Sequence, residues 1–84
     1  MGAPRVVFTR HARGRMRLYG IEARHVTLAL TEPDSGPEQE GSRYAVLKQV
    51  PGAFKGLPLK VVYVREEGRL VVLSAYPLKR SYRR

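Results

Sequence analysis

Apolar and polar positions divide this chain into a short apolar start, two stretches with helical spacing and a second half of strand-like runs. Val6, Val7 and Phe8 form the start and have the character of a strand. Thr9 suits the N-cap of a helix over residues 10–19, and Gly20 takes the C′ position that ends it. At about 100° per residue, Ala12, Met16 and Tyr19 fall on one stripe. Arg10, Arg13 and Arg17 lie opposite, and His11, Arg15 and Leu18 follow one border of the apolar stripe. A second helix over residues 22–31 turns Ala23, Val26, Ala29 and Leu30 inward and is closed by Pro33. His25 lies off that inward face, where it is expected as a surface histidine.

Residues 31–42, TEPDSGPEQEGS, hold two prolines, two glycines and four acids and read as a mobile loop. Residues 43–50 alternate with Tyr44, Val46 and Val50 as a strand, and PGAFKG, residues 51–56, is a turn. Residues 57–65 are apolar and β-branched, as in a strand deep in a sheet. Glu66, Glu67 and Gly68 turn the chain into a hairpin partner over residues 69–76, which Pro77 ends. The expected fold is α+β: two N-terminal helices packed on a three- to four-stranded antiparallel sheet, with residues 6–8 as the optional fourth strand. One domain spans 1–84, with an acidic loop at 31–42 and a basic tail at 77–84.

Composition narrows the chemistry. The 84 residues carry a net charge of +9 and no cysteine, so disulfides and thiolate metal sites are excluded. Two histidines are too few for a His-rich metal centre, and neither a metal nor another cofactor is expected. No stretch has the length of a membrane span or the apolar run of a signal peptide. A cytoplasmic protein without a membrane partner is therefore expected. The charge points to a polyanionic partner. Its placement says more: residues 1–20 and 69–84 hold five cations each and no acid, while five of the seven acids fall between 22 and 40. If the fold joins the two ends, their charges add into one basic patch. If it does not, they are two solvated surfaces.

Two residues could carry catalysis. His11 and Arg15 stand at i and i+4 and are neighbours on one helix face. RNA cleavage needs a group to move the 2′-hydroxyl proton and donors to hold the developing negative charge. A histidine can move the proton, and an arginine offers a planar fork of donors to phosphate. The plainer reading is a histidine packed at the sheet margin and an arginine bonded to nearby carbonyls. Arg10, Arg13 and Arg17 are either a solvated face or a track along a nucleic-acid backbone. Tyr76, Lys79, Arg80 and Tyr82 mix aromatic rings with cations, which suits single-stranded RNA, or they belong to a frayed tail.

The opening motif H-A-x-x-R-M-x-x-x-G-I is carried here by His11, Ala12, Arg15, Met16, Gly20 and Ile21. It is followed by ALTEP at 29–33, VVY at 61–63 and VVLSAYP at 71–77. Over roughly residues 7–77 the chain resembles the domain-of-unknown-function 4258 family, which is grouped with RelE/ParE-like and BrnT-like toxin folds. Tyr19 stands where members of that family often have a basic residue. Glu22 stands where they often have a serine cap, a change worth about 1 kcal/mol. The resemblance implies a RelE-like sheet and a toxin-like RNA-binding domain, in its stronger form a metal-independent endoribonuclease. It also implies RNA, which could be ribosome-associated, and a cognate antitoxin as partners. The alternatives are a non-catalytic basic module acting on nucleic acid or on a nucleic-acid enzyme, and an oligomeric interaction protein. The last would be a homodimer paired, for example, along the edge of residues 43–50.

Overall fold

The computed structural model describes residues 5–79. The chain runs β1 (Arg5–Phe8), α1 (Arg10–Tyr19), α2 (Ala23–Thr31), β2 (Ser35–Glu40), β3 (Arg43–Lys48), a 3-10 turn (Phe54–Gly56), β4 (Leu59–Glu66) and β5 (Arg69–Pro77). Local chemistry sets the ends of α1. Thr9 Oγ1 accepts the Ala12 N–H at 3.1 Å. Gly20 adopts a φ of 69°, which lets the Ile21 N–H reach the Met16 carbonyl at 2.8 Å.

At the start of α2, Glu22 takes the N-cap position and donates its backbone N–H to His25 Nδ1 at 3.0 Å. The His25 ring is buried and meets Phe54 edge-on at 5.2 Å. His25 is thus a buried capping residue and not the expected surface histidine. The helical wheel misses it because a side chain at N3 can fold back on the helix start.

The sheet order is β1-β5-β4-β3-β2, with β1 parallel to β5 and every other pair antiparallel. This five-stranded mixed sheet corrects the expected three- to four-stranded antiparallel sheet of RelE-like type. Residues 6–8, expected as the optional fourth strand, do form a strand ahead of the helices, within β1. Periodicity identifies a strand but not its neighbour, and a parallel neighbour lies far away in sequence. Residues 35–40, expected within a loop, form β2. All six are exposed, so neither face leaves an apolar alternation to read. Backbone pairing to β3 holds this strand. β3 in turn lies between β4 and β2, so residues 43–48 offer no free edge to a second copy.

The core lies between the helices and one sheet face. Ala12, Ile21, Val26 and Ala29 meet Val46, Leu59, Val61, Tyr63, Val72 and Ala75. Alternation in central β4 turns Leu59, Val61 and Tyr63 to the helices and Lys60, Val62 and Val64 away from them. Each fully buried Val, Leu or Ile side chain of this core contributes about 1.5–3 kcal/mol.

An irregularity in β5 positions the candidate site. The two-residue loop Glu67–Gly68, with φ of 41° and 79°, fixes the hairpin register as far as Tyr63 opposite Val72. Beyond that point Val62 pairs with Ser74, so Leu73 is an extra residue. This bulge lets Val72 and Ala75, three apart, both face the core. Ser74 and Tyr76 consequently turn to the other face, where Tyr76 pairs with Lys60.

Candidate functional site

α1 begins where the β1 ladder ends. The Thr9 N–H donates to the Val72 carbonyl at 3.1 Å, and the Thr9 hydroxyl donates to the Leu73 carbonyl at 3.4 Å. The helix then packs along β5, and its His11–Arg15 border meets the sheet face on which Tyr76 emerges. The Arg15 guanidinium carbon stands 5.6 Å from the Tyr76 ring centroid and 5.9 Å from that of Tyr19. Both distances are within cation–π range. Arg15 Nε is buried and has no hydrogen-bond partner among the described residues. A buried donor left unmade is uncommon enough in folded proteins to need a reason.

Three clefts meet at Tyr76. One of about 550 Å³ is lined by His11, Arg43, Ser74 and Tyr76, among others. A second, about 420 Å³, runs from Tyr76 over Arg43 and Lys60 to Glu38 and Glu40 on β2. The third, about 660 Å³, opens at the end of α1 between Tyr19, Phe54, Lys55, Tyr76 and Lys79. The furrow is therefore cationic near α1 and acidic at the β2 edge. Such a surface can hold a phosphate on Arg15 and the lysines, offer rings for stacking and present an imidazole nearby.

Of the residues singled out from sequence, His11, Arg15, Tyr76 and Lys79 come together around this furrow. His11 is exposed and Arg15 half-buried. Arg10, Arg13 and Arg17 are exposed and line none of the three clefts. Arg80 and Tyr82 lie outside the described residues. Sequence reasoning passed over Arg43, Lys60, Lys55, Phe54 and Ser74, which also line the furrow. Lys60 and Arg43 could have been flagged by strand alternation, since both fall opposite the buried set of their strands. Lys55 and Phe54 belong to an irregular turn with no periodicity to read.

Asp34 is held below the ordinary carboxylate range, first by the Gln49 N–H at 2.7 Å and then by the Lys48 ammonium at 3.4 Å. Glu22 is lowered by the hydrogen bond and charge of Arg24. Among the described residues, no group of three or more histidines, cysteines or acids is placed to hold a metal ion. No helix among them is long and apolar enough to cross a membrane. No protein-family model matches the chain, and no curated protein or solved structure matches it significantly, so the resemblance of the opening motif stands on its own residues.

Proposed function

We propose that the chain is a toxin-like RNA-binding domain, and that its furrow cleaves single-stranded RNA without a metal. The observation that carries this reading is the buried, unpartnered Nε of Arg15, set beside Tyr76 in a furrow that also receives His11. Arg15 is then a phosphate clamp through the outer nitrogens of its guanidinium fork, since Nε itself is shielded from solvent. In the reaction the 2′-oxygen bonds to phosphorus and the bond from phosphorus to the 5′-oxygen breaks. His11 takes the 2′-hydroxyl proton, water protonates the leaving 5′-oxygen, and a 2′,3′-cyclic phosphate remains. Arg15 holds the charge that develops on the non-bridging oxygens. Tyr76 carries a base or sugar against its ring. A cognate antitoxin on this reading covers the furrow with acidic or amphipathic chain.

A second reading is favoured by one observation. Among the described residues no side chain holds the exposed His11 ring by a hydrogen bond, although catalytic histidines are commonly oriented by a partner. The domain would then act by occupancy alone, on RNA, DNA or a nucleic-acid enzyme. Cleavage by the purified protein, with and without chelator, separates the two. Chelator-resistant cleavage lost in folded His11→Ala and Arg15→Ala, with RNA affinity retained in His11→Ala, supports the ribonuclease. No cleavage, with salt-sensitive binding that survives His11→Ala, leaves the binding module. Absence of both removes the RNA reading.

A further inference from the structure

The largest of the three clefts at Tyr76 has a composition that phosphate binding alone does not account for. At the end of α1, Leu18 and Tyr19 keep 68% and 41% of their surface exposed, and they are the large apolar side chains left most open among the described residues. Both line this cleft, with Phe54 and Leu57 across from them. Lys55 and Lys79 add cations to its lining, and Tyr76 forms the wall shared with the Arg15 contact. The turn that supplies Phe54 and Lys55 is strained. Both residues sit at a φ of 53°, a region unfavourable for side chains of this size. Such strain is concentrated at binding and catalytic sites, where it presents a side chain that relaxed backbone would not. Phe54 is explained by its packing against His25. Lys55 is exposed and has no such explanation.

We infer that this cleft, between the end of α1 and the Phe54–Gly56 turn, is a subsite for an unpaired nucleobase. The inference rests on the RNA reading above and specifies where one base of the bound strand goes. An aromatic wall accepts the π-face of any base, and cations beside it take the phosphates that the base brings. At about 660 Å³ the cleft falls within the size range of small-molecule pockets, about 300–1,000 Å³. Its position matters as much as its size. Tyr19 and Tyr76, the two rings that flank Arg15, also line the cleft, so base and phosphate sites share their walls. An apolar peptide would leave Arg15, Lys55 and Lys79 unmatched, whereas a nucleotide satisfies rings and cations together.

The test uses adenosine 5′-monophosphate and ribose 5-phosphate, which differ by the base. Each is titrated into the full chain while backbone amide shifts are recorded. Adenosine monophosphate is expected to move the amides of Tyr19, Phe54 and Lys55, and ribose phosphate to leave them in place. Tyr19→Ala should weaken the nucleotide by roughly 5- to 150-fold, the loss of one base–aromatic stack. Tyr19→Trp should retain it, with quenching of the new indole. Equal shifts from both ligands would reduce the cleft to a phosphate site and overturn the inference, as would no shift from either. Concentration-dependent broadening at Leu18 and Tyr19 without ligand would make it a contact between copies, which also overturns it. Nucleotide shifts without RNA binding would keep the subsite and remove the RNA reading. Arg15-dependent RNA binding without nucleotide shifts would do the reverse.

Discussion

Replacing Arg15 by methionine separates a phosphate clamp from a packing residue. In the free protein the buried Nε lacks a partner, and an unsatisfied buried donor costs about 1–3 kcal/mol. Two cation–π contacts offset part of that. At 5.6 and 5.9 Å they lie near the outer limit of the interaction, so about 0.5 kcal/mol each is appropriate. Methionine keeps an unbranched stem and a polarizable sulfur against the same rings and buries no unmet donor. Arg15→Met is therefore expected to leave stability unchanged or raise it by up to about 2 kcal/mol. In a domain of this size each 1 kcal/mol gained moves Tm upward by about 4–8 °C. RNA affinity should move the other way. Losing one charge-assisted contact of about 1.5–3 kcal/mol weakens binding roughly 10- to 150-fold. The salt dependence should also flatten by about 0.7 of a log unit per log unit for a single strand. Thermal melts and anisotropy of a labelled RNA across salt concentrations give both numbers. A Tm lowered by more than about 8 °C, with unchanged affinity in the folded fraction, would refute the clamp and make Arg15 structural.

Three further outcomes test the frame that carries the site. Leu59 is fully buried in the central strand, so Leu59→Ala should cost about 2–5 kcal/mol in urea unfolding and leave little of a domain this small folded. At Gly36 a Cβ would stand 2.6 Å from the Ala45 carbonyl oxygen at a φ of 94°. Gly36→Ala should therefore loosen β2 by about 1–3 kcal/mol and speed amide exchange along the β2–β3 ladder while β4 and β5 stay protected. Asp34 has a folded pKa below its ordinary value of 3.8, so its contribution is present above that pH and lost as pH falls through the lower folded value. Melting curves from pH 6 to pH 2 should show an acid-side loss that is smaller in Asp34→Asn, and identical curves would exclude the Gln49 contact as its source.

Legibility followed the range of the interactions. Thr9 and Gly20 act within one helical turn, and both ends of α1 are readable from neighbouring residues. The apolar run of β4 announces a central strand, because only a strand with neighbours on both sides buries so much. β2 is silent, since exposure on both faces leaves no alternation and its pairing is through the backbone. The bulge at Leu73 is the more instructive failure. Plain alternation from Val72, which faces the core, would send Ser74 and Tyr76 after it and leave Ala75 outside. One extra residue reverses that assignment and brings Tyr76 to Arg15. Both partners of the contact can be nominated from sequence. Their meeting depends on a register change that hydrophobic pattern does not encode.

The parallel pairing of β1 with β5 bears on the charge as well as on the fold. The sequence holds its cations at the two ends and most acids in the middle, and this arrangement gains force only if the ends adjoin. Arg5 stands beside Arg69 across the β1–β5 pair, and α1 continues along β5 toward Lys79. The acids Glu38 and Glu40 go to β2, at the opposite edge of the sheet. The sheet order thus converts a pattern along the chain into a gradient across one surface. Like charges on paired strands oppose folding, and here Glu66 relieves Arg69 at 3.1 Å while Arg5 has no ion pair among the described residues. A fold that gathers cations against this repulsion gains stability when a polyanion binds only the folded form. The acidic edge limits how far along the furrow such a ligand can reach, because phosphates entering between Glu38 and Glu40 meet the same sign of charge. A strand bound as proposed would therefore be confined to the side of the sheet where Arg15, His11 and Tyr76 converge.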